Sequence, residues 1–296
     1  MSIKDREALK AFFSQNNALE AGSFAEQRKN FDAMGAMFPV TEGTEVEPAT
    51  IGGVNGEWVR ARRARRDAVL LYLHGGGYAI GSPQSHRSLT AQLSADTGLS
   101  VFAPDYRLAP EHPFPAAVDD AVAVYKSLLD SGIDAGNVAI AGDSAGGGLT
   151  IATLVAARDQ GLPMPACAIA ISPWCDLTQS GESHKTRAGR DPIVQQPAIG
   201  NMALAYAGSA DPKTPLISPL FADLRGLPPL LLQVGSEETL YDDTTRLKAR
   251  AEEAGVEVSA ESWGGMIHVW HIFHAMLSEG RDAVARIGSF VKAHIG

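Results

Sequence analysis

Cysteine is scarce: Cys167 and Cys175 are the only two in 296 residues. Two thiols cannot build a disulfide framework or a four-cysteine metal site. Cys167 lies inside an apolar run, as a small core residue would. Long apolar stretches are missing as well, and none approaches the roughly 20 residues that cross a bilayer as a helix. The opening MSIKDREALKAFF does not follow the charged-then-apolar order of a secretory leader. These absences give the expectation of a soluble, cytoplasmic chain with no membrane partner. Positive charge is in deficit, with 25 Lys and Arg against 34 Asp and Glu and a net charge of −9. Acidic residues are spread along the chain, so nucleic acid is not an expected partner. The densest basic run, RARRARR at 60–66, reads as a solvated turn between strands. No segment repeats and none is of low complexity.

What the chain does have is a series of short, continuous apolar runs. AVLLYL (68–73), LSVFAP (99–104), NVAIAG (137–142), CAIAIS (167–172) and PLLLQVG (229–235) fit strands buried on both faces. Helical patterns lie between most of them, at 116–130, 146–160 and 241–255, and VEVSAES (256–262) with a helix over 279–293 closes the chain. Alternation of this kind predicts an α/β fold with a mostly parallel sheet flanked by helices. Residues 44–62 read as a hairpin turning at GGVNG (52–56). Ahead of it, Ile3, Leu9, Phe12, Phe13 and Leu19, then Phe24, Phe31, Met34, Met37 and Phe38, predict two amphipathic helices. Residues 184–212 break the rhythm and read as a helical insertion near the sheet's C-terminal edge.

The chemistry starts at Gly142-Asp143-Ser144-Ala145-Gly146, a G-x-S-x-G turn between a buried strand and a helix. The small neighbours let a sharp turn close, which leaves the serine exposed at the sheet edge with a helix N-terminus behind it. Ser144 is therefore the candidate nucleophile. A serine attacking a carbonyl creates an oxyanion, which needs N–H donors at about 2.7–3.1 Å. HGGG at 74–77 offers backbone that can approach that closely, so Gly75, Gly76 and the N–H of Ala145 are the candidate oxyanion donors. His74 is expected to brace this loop by hydrogen bonds. The alternative for 75–77 is a plain tight turn.

In this fold the triad runs Ser, Asp/Glu, His along the chain. Of eight histidines, His268 comes first after the last strand, in the loop following Gly264-Gly265, and is the candidate base. His271 and His274 are spaced like one face of a following helix and fit core or surface roles. The acid should follow PLLLQVG. Glu238 lies in that loop and is the candidate; Asp242 and Glu237 are the alternatives, and Asp242 or Asp243 also suits a helix N-cap.

HGGGY (74–78), DYRLAPEHPFPAA (105–117), GDSAGGG (142–148), SPWCDL (172–177) and GMIHVWHIF (265–273) together resemble the hormone-sensitive-lipase-like (family IV) branch of the α/β-hydrolases, over nearly the whole chain from about residue 45. The resemblance implies that 105–117 braces the nucleophile turn, with Asp105, Arg107 and Glu111 structural. It also implies a helical cap made of residues 1–43 and 184–212 over a core made of 44–183 and 213–296. Phe38, Met202, Leu204 and Tyr206 are the candidate cap residues for an apolar pocket. One position departs from the family, whose acid usually stands in Asp-x-Leu-x-Asp: here the run is Glu238-Thr239-Leu240-Tyr241-Asp242. The expected activity is hydrolysis of short- to medium-chain carboxylic esters through an acyl-enzyme, with a small ester as partner, no cofactor and no metal, in a monomer or homodimer. A deacetylase or amidase is the alternative within enzymes. A ligand-binding receptor of the same fold, with its chemistry disabled, is the alternative from another class, although Ser144 and His268 are both retained.

Overall fold

The computed structural model describes residues 22–296. In chain order the elements are α1 (Phe24–Gly35), β1 (Glu45–Ile51), β2 (Val54–Arg60), β3 (Arg65–Leu73), α2 (Pro83–Thr97), β4 (Leu99–Pro104), α3 (Ala116–Asp130), β5 (Val138–Asp143), α4 (Ala145–Asp159) and β6 (Cys167–Ile171). There follow α5 (Ser183–Thr186), α6 (Ala198–Ala207), β7 (Leu230–Gly235), α7 (Tyr241–Glu253), β8 (Val258–Trp263) and α8 (Ser278–His294). The strands form one sheet in the order β1-β2-β4-β3-β5-β6-β7-β8. β1–β2 and β2–β4 pair antiparallel, and every later pair is parallel.

The apolar runs become the buried centre of this sheet, where β4, β5, β6 and β7 are buried along their whole length. Side chains alternate between its faces. Leu71 and Leu73 of β3 join a cluster with Val124, Leu149 and Leu154 from α3 and α4, while Leu70 and Tyr72 meet Leu89, Leu93, Ile287 and Val291 from α2 and α8. Each such Leu or Ile contributes about 1.5–3 kcal/mol relative to exposure. The β1–β2 hairpin turns at Gly52-Gly53 alone, three residues shorter than the GGVNG run, because Val54 already pairs with Ile51. The basic run is the turn between β2 and β3, with Arg62 and Arg63 exposed.

One helix is absent from the sequence reading. α2 has clear end signals: Ser82 caps it, Pro83 opens it and Gly98 closes it in the left-handed conformation. Its buried face, however, includes Ser85, His86, Ser88, Thr90, Ser94 and Thr97, so no apolar period marks it. The insertion contains the short α5 and the longer α6. Of the two N-terminal helices expected, the second is α1, opened by a Ser23–Glu26 capping box. The first, over Ile3 to Leu19, lies outside the described residues. Among the described residues no helix is long and apolar enough to cross a membrane.

Candidate active site

β5 runs into Ser144, whose φ of 53° and ψ of −121° turn the chain sharply into α4. Such a conformation costs a non-glycine residue on the order of 1–3 kcal/mol, so its surroundings must hold it. They do so through backbone. The Ser144 N–H donates to Ile171 O at 2.8 Å, and its carbonyl accepts from Trp174 N–H at 2.9 Å and Gly148 N–H at 3.1 Å. A Cβ at Gly146 would sit 1.9 Å from Leu73 O, and one at Gly142 would sit 2.2 Å from Gly146 O. The helix can approach the strand only with glycine at both places.

The HGGG loop packs directly on this turn. Asp143, buried beside Ser144, accepts from Tyr72 Oη at 2.6 Å and from Gly75 N–H at 3.0 Å, and lies 3.4 Å from His86 Nε2. Burial disfavours its charge, yet the facing His86 and the Tyr72 hydroxyl hold its pKa down to about 2. Gly75 was expected as an oxyanion donor, but its N–H is committed to Asp143. Gly76 and Gly77, both at positive φ, line the pocket next to Ser144 instead. Among the described residues no acceptor meets the N–H of Gly76 or Gly77. His74 stacks on Tyr106 at 4.2 Å, its ring nitrogen Nδ1 lies 2.8 Å from Gly75 O, and its carbonyl accepts from Tyr106 Oη at 2.7 Å. Burial pushes its pKa down to about 3, so it braces the loop as a neutral ring.

The loop after β7 brings Glu238 to His268. Glu238 is fully buried, and its Oε2 lies 3.0 Å from His268 Nδ1. Its Oε1 accepts from Ser172 Oγ at 2.8 Å and from Gly235 N–H at 2.5 Å. Ser172 Oγ also accepts from Val269 N–H at 3.2 Å, which ties the histidine loop to the same hydroxyl. Burial works against a charged His268, but the hydrogen bond and charge of Glu238 outweigh it and raise the ring's pKa above the ordinary histidine value. His268 and Ser144 line one cavity of about 290 Å³ without a hydrogen bond between them.

The alternatives for the acid face elsewhere. Asp242 accepts from Ser183 N–H at 2.9 Å, and Glu237 lies 4.0 Å from Arg190 and accepts from Ser236 Oγ at 2.9 Å. Neither Asp242 nor Asp243 caps α7. The N-cap is Leu240, without a side-chain bond, and Asp243 accepts from the N–H groups of Cys175 and Asp176 at 2.8 Å. His271 meets Gln233 Oε1 at 2.8 Å and His274 meets Ser88 Oγ at 3.2 Å. His271 lies within the one-turn segment Trp270–Phe273 and His274 caps its end, so neither is on a long helix.

Much of the cavity wall is apolar, with Phe31 and Met34 from α1, Ile193, Val194 and Met202 from the insertion, and Phe273. Met202 lines it as expected. Phe38 packs on Phe273 behind the wall, Leu204 is 70% exposed, and Tyr206 stacks on Tyr78 at 3.7 Å, so these three do not line it. The 105–117 loop is structural: Arg107 grips Asp120 at 2.7 Å, and Glu111 grips Arg28 of α1 at 2.7 Å. Arg28 also donates to the carbonyls of Ala79 and Ala109 at 2.8 Å, which fastens α1 beside the HGGG loop. Sequence reasoning missed Ser172 and Asp143; each stands inside a quoted motif, but its partner is distant in the chain.

A family model described as the alpha/beta hydrolase fold matches residues 70–272. The chain is 51% identical over 248 residues to an acetyl-hydrolase of Streptomyces hygroscopicus, covering 83% of this chain and 82% of the relative. It is 36% identical to an esterase of Acinetobacter venetianus, covering 89% and 87%. The crystal structure of an esterase from the bacterial hormone-sensitive lipase family superposes with a TM-score of 0.97 at 44% identity over all of both chains. This chain is an α/β-hydrolase of the hormone-sensitive-lipase-like family. As a carboxylic ester hydrolase of that family it acts on small-molecule esters.

Proposed function

We propose that this hydrolase cleaves short-chain carboxylic esters with Ser144 as nucleophile, His268 as general base and Glu238 as the carboxylate that orients it. The observation that carries the reading is the buried Glu238–His268 pair at 3.0 Å, whose His268 lines the same cavity as Ser144. Ser144 Oγ attacks the acyl carbon while His268 takes its proton and passes it to the leaving alcohol. Water activated by the same ring then releases the acid. The N–H groups of Gly76, Gly77 and Ala145 meet the oxyanion, each worth about 3 kcal/mol in the transition state. Residues 22–43 and 184–212 act as a cap, and the cavity beneath it suits acyl chains of about two to eight carbons, each added CH₂ contributing up to about 0.8 kcal/mol while it finds apolar wall. The relative named an acetyl-hydrolase favours the short end of that range, including acetylated small molecules.

The test is a p-nitrophenyl ester series from acetate to palmitate, with Ser144→Ala and Glu238→Gln alongside wild type. Ser144→Ala should lose about a million-fold in kcat with the fold intact, as a removed triad serine does. Wild-type turnover in that variant, or rates still rising at sixteen carbons, would overturn the reading.

A further inference from the structure

The insertion holds a buried carboxylate for which no function has yet been given. Asp191 is 1% exposed and stands just before the pocket wall. Its Oδ1 accepts from the N–H groups of Ile193 at 2.9 Å and Val194 at 3.2 Å, the two residues that face the cavity. Its Oδ2 accepts from the N–H of Thr239 at 3.0 Å and from the Thr239 hydroxyl at 3.2 Å. Thr239 is the residue directly after Glu238. The Thr239 hydroxyl also lies 3.1 Å from Val194 O, and Ser183 Oγ donates to Thr239 O at 2.6 Å. Arg187 covers the Tyr241 ring at 3.6 Å and donates to Ser236 O. The insertion therefore grips the acid loop on both sides of Glu238, and Asp191 joins pocket wall and acid loop with two side-chain contacts to each.

We propose that Asp191 is a positioning residue for catalysis: it locks the cap wall at Ile193–Val194 to the loop that carries Glu238, so that the wall touching the acyl chain and the carboxylate orienting His268 keep one fixed geometry. The proposal rests on the reading of Glu238 as the orienting carboxylate. An Asx turn that merely shapes the insertion would need only the Oδ1 contacts. The Oδ2 contacts reach 48 positions along the chain to the acid loop instead. Asp191 also adds to the negative field around His268, together with Glu238 and Asp143. His271 also interacts with this ring, and burial keeps it neutral, with a pKa pushed down to about 3.

The experiment compares Asp191→Asn, Thr239→Val and Glu238→Gln in the full chain with p-nitrophenyl acetate and butyrate, reading kcat, KM, the pH profile and melting temperature. An amide at 191 offers one acceptor where two are used, so one set of contacts is lost. Asp191→Asn should lower kcat about tenfold to a hundredfold, as loss of a positioning partner does, with little change in KM. Its acid limb should move to lower pH, because a negative charge near His268 is gone. Thr239→Val keeps Asp191 and its turn but removes the hydroxyl contact. It should lower kcat by a few-fold and leave the acid limb in place, and it decides the matter alone where Asp191→Asn does not fold. Wild-type kcat in both variants while Glu238→Gln is inactive overturns the proposal. So does an Asp191→Asn enzyme that loses activity only through KM or melting temperature with its acid limb unmoved. Wild-type kcat in Glu238→Gln overturns instead the acid assignment beneath it.

Discussion

Around Ser144, a methyl group added at Gly142 or Gly146 would lie 2.2 or 1.9 Å from a backbone oxygen. Around Glu238, most contacts are made by side chains: Ser172 on one oxygen, His268 on the other, and Asp191 gripping the next residue. The two halves of the pocket are thus fixed by different physics. The nucleophile half is set by what the backbone excludes, which is steep and all-or-none. The acid half is set by hydrogen bonds that can lengthen, each with a net worth of about 1 kcal/mol, or about 1.5–3 where one partner is charged. A change of similar size in each half should therefore have very different consequences.

The largest difference should come from Gly146→Ala. The added carbon meets Leu73 O at 1.9 Å and His74 O at 2.5 Å, and both belong to a central strand end and the HGGG loop. Neither can move without opening the sheet, so destabilisation of about 3 kcal/mol or more is expected, at the top of the overpacking range. Chemical denaturation measures it. A fully stable variant would show that this turn is looser than its geometry.

Glu238→Asp is the matching change on the acid side. It shortens a carboxylate whose bond to His268 is 3.0 Å, in a loop that the insertion holds in place. The fold should persist while kcat falls about tenfold to a hundredfold, as for a displaced positioning group. Unchanged kcat would mean that the loop follows the shorter side chain and that the acid half is pliable.

This contrast also accounts for what could be read from the chain. Glycines at a turn are chosen because nothing else fits, so HGGG and GDSAG speak for themselves without any knowledge of partners. Ser172, Asp191 and Arg28 are ordinary polar residues, and their roles depend on partners 66, 48 and 83 positions away. The buried strands and most helices followed from apolar period, but α2 did not, because serine, threonine and histidine interrupt Leu89, Ala91 and Leu93 on its inner face. Gly75 fell between the two cases. The motif placed it in the right loop, and only the position of the Asp143 carboxylate distinguished its N–H from those of Gly76 and Gly77.

Ser172→Ala should produce a smaller effect than either change above. It removes one donor from Glu238 and the acceptor of the Val269 N–H. Glu238 keeps Gly235 N–H and His268, so orientation is weakened rather than lost. A kcat loss of a few-fold to about tenfold is expected from a lost hydrogen bond to a charged group. A drop as large as that of Glu238→Gln would make Ser172 an equal member of the site.

The smallest effect is a shift along the pH axis. In the proposed mechanism His268 is neutral when it takes the Ser144 proton, so activity should fall as pH drops through its pKa. Burial alone would lower that pKa and let activity persist into acid. The Glu238 hydrogen bond and charge raise it instead, so the acid limb of kcat/KM should lie above the ordinary histidine value of about 6.5. Removing the charge with Glu238→Gln leaves burial opposed only by the weaker pull of Asp191 and Asp143, and the limb of the residual activity should then move to lower pH. The direction follows from the sign of each cause: a group stabilised in its protonated form gives up its proton later as pH rises. Profiles of kcat/KM between pH 5 and 9 report the free enzyme and so read this ring directly. A wild-type limb below that of free imidazole, or one that does not respond to Glu238→Gln, would mean that the buried carboxylate orients His268 without governing its charge, and that the acid half of the pocket works by geometry alone, as the nucleophile half does.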